Sequence, residues 1–274
     1  MRRTCFAAWC LPLMLALGVA QAKPQRVVVL GGSVTEIVYD LGQGERLVAG
    51  DDSSIYPAAA LKLPRVGYYR SVPVEGVVAM KPDLVLASEN AGPPKALERL
   101  RALGIDLEVV SDSPSIESLY QRIEQIAREL QAPEEGEKLI AQVRREVQAA
   151  QALPSTPRRA LVLLNRTGPM MAAGGDTAAN AVLRLAGLEN VLASQKGYKP
   201  ISAEGLATLQ PDMIIISAAS AKAAGGIDKV KAGAGIAATP AARENRILAM
   251  DDLLILGLGP RVGLAIEQLK AAAK

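Results

Sequence analysis

The 274-residue sequence has no histidine, and its two cysteines, one tryptophan and one phenylalanine (Cys5, Cys10, Trp9, Phe6) all fall within the first 22 residues. Residues 23–274 therefore cannot form a disulfide, a zinc site of the usual His/Cys kind or a Ser-His-Asp triad. A surplus of positive charge is missing too. The formal charge is +3 for the whole chain, and removing Arg2 and Arg3 with the first 22 residues leaves +1. Without a basic stripe, nucleic acid is not an expected partner. The aromatic side chains beyond residue 22 are the six tyrosines Tyr39, Tyr56, Tyr68, Tyr69, Tyr120 and Tyr198.

The first 22 residues read as a cleavable export signal. Arg2 and Arg3 give a positive start, Phe6 to Ala20 is apolar apart from Pro12, and Ala20-Gln21-Ala22 is a small-residue cleavage site. The run is too short to favour a membrane span. Trp9 stands where a lipid anchor on Cys10 would need a small residue. The expected location is the periplasm.

Beyond residue 22 the pattern is that of an α/β protein. Arg26 to Leu30 is a β-branched apolar run ending at Gly31-Gly32, as a buried parallel strand would be. Ser33 is a candidate cap for a helix ending near Gly42. Further strands are expected at Leu47–Ala49, Asp83–Ala87 and Asp106–Val110, with a helix from Pro94 to Leu103 closed by Gly104. Ser113 and Pro114 predict the cap and first position of the next helix, with Leu119, Ile123 and Ile126 on its apolar face.

From Pro133 to Leu153 a charged segment carries Leu139, Ile140, Val143 and Val147 at helical spacing, and Pro154 and Pro157 end it. Strand-like sequence resumes at Ala160–Leu164. A long helix joining two lobes explains this placement; an ordinary surface helix is the plainer alternative. The expected division is a signal peptide over 1–22, a first lobe over 23–132, a bridging helix over 133–157 and a second lobe over 158–274.

An internal repeat supports two lobes of like fold. Val74 to Ser88 recurs as Ala203 to Ser217, with Glu, Gly, Pro, Asp and Ser identical at an offset of 129 residues. Each copy predicts a short helix, broken by Pro82 or Pro211, that feeds a buried strand.

On this repeat the chain resembles the periplasmic binding proteins that serve importers of cobalamin, siderophores and haem. The resemblance covers residues 23 to 274 and implies two α/β lobes, one bridging helix and a ligand cleft between the lobes. It implies that Glu75 and Glu204, the second residue of each copy, dock onto an inner-membrane ABC permease that works with its ATPase. A carboxylate in a first helical turn is also favoured by the helix dipole alone, by about 0.3–1 kcal/mol. That explains either glutamate singly, and less readily the pair.

Val66-Gly67-Tyr68-Tyr69-Arg70 resembles the Gly-Tyr-x-Arg phrase of the haem-binding branch. The resemblance implies that Tyr68, with Tyr69 as the fallback, ligates ferric haem iron, and that Arg70 bonds the tyrosine oxygen. The chemistry is coherent: neutral phenol is a poor ligand at pH 7, while ferric iron and a guanidinium both favour phenolate. With no histidine in the second lobe, one haem with five-coordinate iron is expected, and the Tyr68/Arg70 pair has no counterpart in the second half. Met170, Met171, Tyr198 and Arg261 are further candidates for the haem site, Arg261 toward a propionate.

The alternatives are the same architecture carrying a ferric siderophore or cobalamin, and an enzyme. Gly31-Gly32-Ser33 resembles a nucleotide-binding turn but lacks the third glycine and the lysine, so a non-enzymatic, monomeric carrier is expected.

Overall fold

The computed structural model describes residues 23–165 and 168–274. The export signal at 1–22 lies outside the described residues, as does Thr167 of the 167–175 loop. The first half alternates β1 (Val27–Leu30), α1 (Gly32–Asp40), β2 (Leu47–Gly50), α2 (Val74–Ala79), β3 (Leu84–Ser88), α3 (Pro94–Ala102), β4 (Leu107–Val110) and α4 (Ile116–Glu129). Its four strands form a parallel sheet in the order β2-β1-β3-β4. Parallel strands need both faces covered, and β1 and β3 are buried at every residue.

After α5 (Pro133–Ala152), the second half runs β5 (Arg159–Leu164), β6 (Met171–Ala173), α6 (Ala178–Leu185), β7 (Glu189–Asn190), β8 (Tyr198–Pro200), α7 (Ala203–Leu209) and β9 (Met213–Ser217). It ends with α8 (Ala218–Ala223), α9 (Ile227–Lys231), α10 (Pro240–Arg243), β10 (Ile247–Met250), α11 (Asp252–Leu256) and α12 (Val262–Ala272). Its sheet has the order β10-β9-β5-β6-β8, with β7 also on β5. The β6 pairings are antiparallel. The architecture is thus two α/β lobes joined by one long helix.

Two caps differ from the sequence expectation. Ser33 lies inside α1, whose N-cap is Gly31 with φ +129°, and its hydroxyl accepts a hydrogen bond from Arg122 Nη1 at 2.6 Å. The cap of α4 is Ser115, whose Oγ accepts from Ser118 N at 3.1 Å. Ser113 is turned away because its hydroxyl donates to Glu89 Oε1 at 2.7 Å.

The repeat is structural as well as sequential. Before β3 and β9 the chain turns through left-handed Lys81 (φ +48°) and Gln210 (φ +45°). Arg26 donates to the carbonyls of Lys81 and Met80, and Arg159 to those of Gln210 and Leu209. Asp83 accepts from Arg26 N, and Asp212 from Arg159 N. The Pro-Asp phrase is thus half of a clasp that fastens each repeat to the first strand of its own lobe.

The bridging helix is gripped from both sides. Leu139, Val143, Val147 and Ala150 of α5 belong to one apolar cluster that also holds Ile123 and Ile126 of α4 and Ile266 and Leu269 of α12. A Cβ at Gly136 would lie 2.5 Å from Ala127 Cβ on α4, and one at Gly263 would lie 3.0 Å from Glu146 Cβ on α5. Buried Lys270 of α12 donates to the carbonyls of Gln151 and Leu153 at 2.6 and 2.8 Å, placing its charge at the negative end of α5.

Gly136→Leu tests this grip. Leucine favours a helix over glycine by about 0.8 kcal/mol, yet overpacking against Ala127 should leave the variant about 1–3 kcal/mol less stable in urea denaturation. A net gain in stability would contradict the close approach of α4 and α5.

Candidate functional site

Loops at the carboxyl ends of the strands converge on a cleft of about 880 Å³ between the lobes, the place where open parallel sheets bind ligands. The first lobe supplies Gly31 to Ser33 after β1, Asp52 and Ser53 after β2, the Tyr68–Arg70 turn, Glu89 and Asn90 after β3, and Asp112 to Pro114 after β4. The second supplies Leu164 and Asn165 at the end of β5, Asp176 to Ala178, Gly197 and Tyr198, and residues of α8 and α11.

One carboxylate organises the first-lobe wall. Asp51 is 0% exposed. Its Oδ1 accepts from Gly31 N at 3.0 Å and Ser54 Oγ at 3.1 Å. Its Oδ2 accepts from Ser53 N at 3.1 Å and Tyr69 N at 3.2 Å, and Ser53 Oγ lies within hydrogen-bonding distance of both oxygens. A buried carboxylate is costly unless its acceptor capacity is met by donors; here backbone N–H groups from three loops meet it. Asp51 thereby fixes the β1–α1 turn and the turn that carries the tyrosines. Gly67, at φ +94°, takes a conformation that favours glycine, and its carbonyl accepts from Asp52 N at 2.8 Å.

Tyr68 and Tyr69 meet edge to face, with ring centroids 5.0 Å apart at 76°. The Arg70 guanidinium lies 5.0 Å from the Tyr69 centroid and reaches both tyrosine side chains. Burial opposes the Arg70 charge, but the two tyrosines outweigh it and its pKa is raised. Burial pushes the Tyr69 pKa well up, with Arg70 acting in the opposite sense. Tyr69 also packs on the core formed by Val28, Leu30 and Val85.

Beneath this wall a polar network ties β4, α4 and α1 together. Arg122 is 0% exposed; its Nε donates to Ser111 O at 2.5 Å, and its Nη2 lies 2.7 Å from Asp112 Oδ1. That last contact is an ion pair without hydrogen-bond geometry. Burial lowers the Arg122 pKa and Asp112 opposes that shift. Asp112 Oδ2 in turn accepts from Ser88 Oγ at 2.6 Å and Asn90 Nδ2 at 3.2 Å. Neither Asp51 nor Arg122 was singled out from the sequence. Arg122 sits among the apolar positions of an amphipathic helix, and that break in the pattern was the available signal.

Of the second-lobe candidates, Tyr198 lines the cleft. Met170 and Met171 do not: Met170 packs against the core holding Leu161, Ile214 and Ile216, and Met171 pairs with Leu164 and Pro200 in the sheet. Arg261 does not line it either. Its guanidinium makes a two-point contact across the lobes with buried Glu36, Nε–Oε1 2.9 Å and Nη2–Oε2 3.1 Å, and lies 3.5 Å above the Tyr56 ring. Glu75 and Glu204 are exposed in the first turns of α2 and α7, outside the cleft. The Glu204 pKa is lowered by a hydrogen bond from its own backbone N–H and by Ser202.

The cleft lining carries five carboxylates (Asp52, Glu89, Asp112, Asp176, Asp252) and, among the described residues, the single cation Arg70. Among the described residues no cluster of three or more His, Cys, Asp or Glu side chains could hold a metal ion. No described helix is long and apolar enough to cross a membrane.

The family model "Periplasmic binding protein" matches residues 27–254. The structure is similar to the periplasmic haem-binding protein RhuT from Roseiflexus sp. RS-1 in apo form, at a TM-score of 0.85 and 38% identity over 90% of this chain and 97% of that one. It is also similar to the periplasmic haem-binding protein BhuT in complex with two haems, at a TM-score of 0.83 and 37% identity over 90% and 97%. The vitamin B12-binding protein of Photorhabdus laumondii is 32% identical over 251 residues, 90% of this chain and 87% of that protein.

Near the Glu36–Arg261 pair, Asp40 ends α1. Its pKa is pushed from 3.8 to about 6, by burial first and then by Glu36 and Glu146, with Arg261 opposing. Because the folded value lies above the unfolded one, the folded state holds the proton longer, so Asp40 costs stability as pH rises from 3.8 to about 6. Asp40 is exposed at the surface even though its carboxyl is partly desolvated, so solvent screening reduces the effect well below what the shift alone would give. Asp40→Asn should raise the Tm by roughly 1–2 °C at pH 7.5 and leave it unchanged below pH 3.8. Equal shifts at both pH values would exclude this origin.

Proposed function

The chain belongs to the periplasmic binding protein family, whose members bind substrates rather than transform them, and we propose that it captures ferric haem in the inter-lobe cleft and delivers it to an inner-membrane ABC importer. The observation that carries this reading is the placement of Tyr68 on the cleft wall with Arg70 reaching its side chain. Tyr68 is the iron ligand: coordination displaces its phenolic proton, and the neighbouring guanidinium favours the phenolate. Tyr69 is the poorer candidate, because burial makes its phenolate harder to form. The similarity to RhuT and BhuT supports haem as the cargo.

The chain is exported by a signal peptide cleaved after Ala22, and lobes 23–132 and 158–274 close on the ligand as a monomer. Exposed Glu75 and Glu204, one per lobe at matching repeat positions, dock onto the permease that works with its ATPase.

Cobalamin is the second reading. It is favoured by the likeness to a vitamin B12-binding protein and by a cleft with five carboxylates and one described cation, a poor setting for two buried propionates. Parallel titrations with hemin and cyanocobalamin separate the two. Hemin should give a tyrosinate-to-iron charge-transfer band that Tyr68→Ala abolishes. An unchanged band in that variant would exclude Tyr68 as ligand, and binding of cyanocobalamin alone would replace the haem reading.

Exchanging both Glu75 and Glu204 for Ala should stop ATP-driven uptake in a reconstituted importer while leaving hemin affinity within about twofold, since neither residue lines the cleft. Loss of hemin binding in the double variant would mean that these residues are not docking groups.

A further inference from the structure

Three segments that line the cleft meet at one side chain that does not line it. Arg261 belongs to the second lobe and is the N-cap of α12. Its Nε and Nη2 donate to Glu36 Oε1 and Oε2 of first-lobe α1 at 2.9 and 3.1 Å, and its backbone N donates to Oε1 at 3.3 Å. Glu36 stands one helical turn from Ser33, where α1 forms part of the cleft wall. The same guanidinium lies over the ring of Tyr56, which follows the lining residues Asp52, Ser53 and Ile55 in the chain. On its own lobe, Arg261 Nη2 reaches Oδ1 of Asp251 at 3.5 Å. Asp251 caps α11, whose Asp252, Leu253 and Leu256 line the opposite wall.

Little slack surrounds this junction. A Cβ at Gly32 would lie 2.5 Å from Leu253 Cδ2 and would also meet Ser53 O, and one at Gly259 would lie 3.3 Å from Glu36 Oε2. An apolar seam continues from there, with Val34, Ile37 and Val38 of α1 in one cluster with Leu254, Ile255 and Leu258.

On this geometry, and resting on the reading of the inter-lobe cleft as the cargo site, we propose that Arg261 is a positioning residue for the cargo: held between α1, the 52–56 loop and α11, it sets the gap between the two cleft walls without touching the ligand.

The seam and the ion pair do different things. Apolar packing is non-directional, so the seam keeps α1 against α11 but fixes their relative placement weakly. A planar guanidinium on a carboxylate has a two-point geometry that a slide or tilt would break. Stability does not require the pair, because a buried ion pair exchanged for apolar side chains of similar volume is often neutral or stabilising. Cargo affinity does require the gap. Tyr68 holds the iron at the first-lobe wall, so the second-lobe wall adds contact only when its distance matches the thickness of the bound ring.

The test separates geometry from stability with the double variant Glu36→Met/Arg261→Met, which removes both charges and keeps side-chain bulk. Spin labels at Glu98→Cys on α3 and Lys229→Cys on α9, both exposed positions, report the inter-lobe distance in the exported chain, since residues 23–274 contain no other cysteine. The double variant should keep its Tm, show a broader distance distribution than the wild type and bind hemin roughly tenfold more weakly, with the Tyr68 charge-transfer band retained. Arg261→Lys, which keeps the charge but not the fork, should fall between the two and carries the comparison should the double variant fail to fold. An unchanged distance distribution or an unchanged hemin affinity in these variants overturns the proposal and leaves the haem reading intact. A wild type that binds no hemin removes the haem reading, and the distance distribution then decides the proposal by itself.

Discussion

The buried carboxylate of Asp51 is the contact on which the first-lobe wall depends. Strand ends alone do not shape a binding surface, because the loops that leave them carry backbone donors with no strand partner. Asp51 gathers donors from Gly31, Ser53 and Tyr69 onto one side chain, satisfying them and its own desolvated charge together. The start of α1, the 51–54 loop and the tyrosine turn are thereby fixed relative to one another. The Ser33–Arg122–Asp112–Ser88 chain extends the same logic under the rest of the wall.

The connection between the lobes rests on different physics. A single apolar cluster runs from α4 through α5 to α12, so the bridging helix is packed into both lobes along much of its length. The Arg261–Glu36 contact adds a charged strut between residues 225 apart in sequence. Burial raises the Glu36 pKa and the Arg261 partner offsets part of that rise. Such a pair contributes little net stability when intact but is costly to break on one side, which suits a contact that sets lobe orientation.

Much of the fold was legible in the sequence. Parallel strands buried on both faces read as unbroken apolar runs, so β1, β3, β5 and β9 stand out, and Pro133 with Leu139, Val143 and Val147 marks α5. The caps were less legible, since Ser33 and Ser113 satisfy a local rule equally well and were claimed instead by Arg122 and Glu89. In the site, the Gly-Tyr-x-Arg phrase directed attention to Tyr68, whereas Asp51 looks like any loop aspartate until its donors are seen to arrive from positions 20 and 18 residues away. Arg261 reads as a free cation near a ligand until Glu36 is found beneath it.

The sequence by itself determined the alternation of elements, the duplicated helix-Pro-Asp-strand unit and, through its lack of histidine and of cysteine beyond residue 22, the restriction of any iron ligand in the chain that follows to oxygen and weaker thioether donors. Those are properties of composition and local periodicity. Only the tertiary structure decided which side chains share the cleft: Tyr198 faces it, while Met170, Met171 and Arg261 are taken up by core, sheet and ion pair. That choice depends on where distant loops meet, and a local pattern carries no record of which partner across the fold will claim a side chain first.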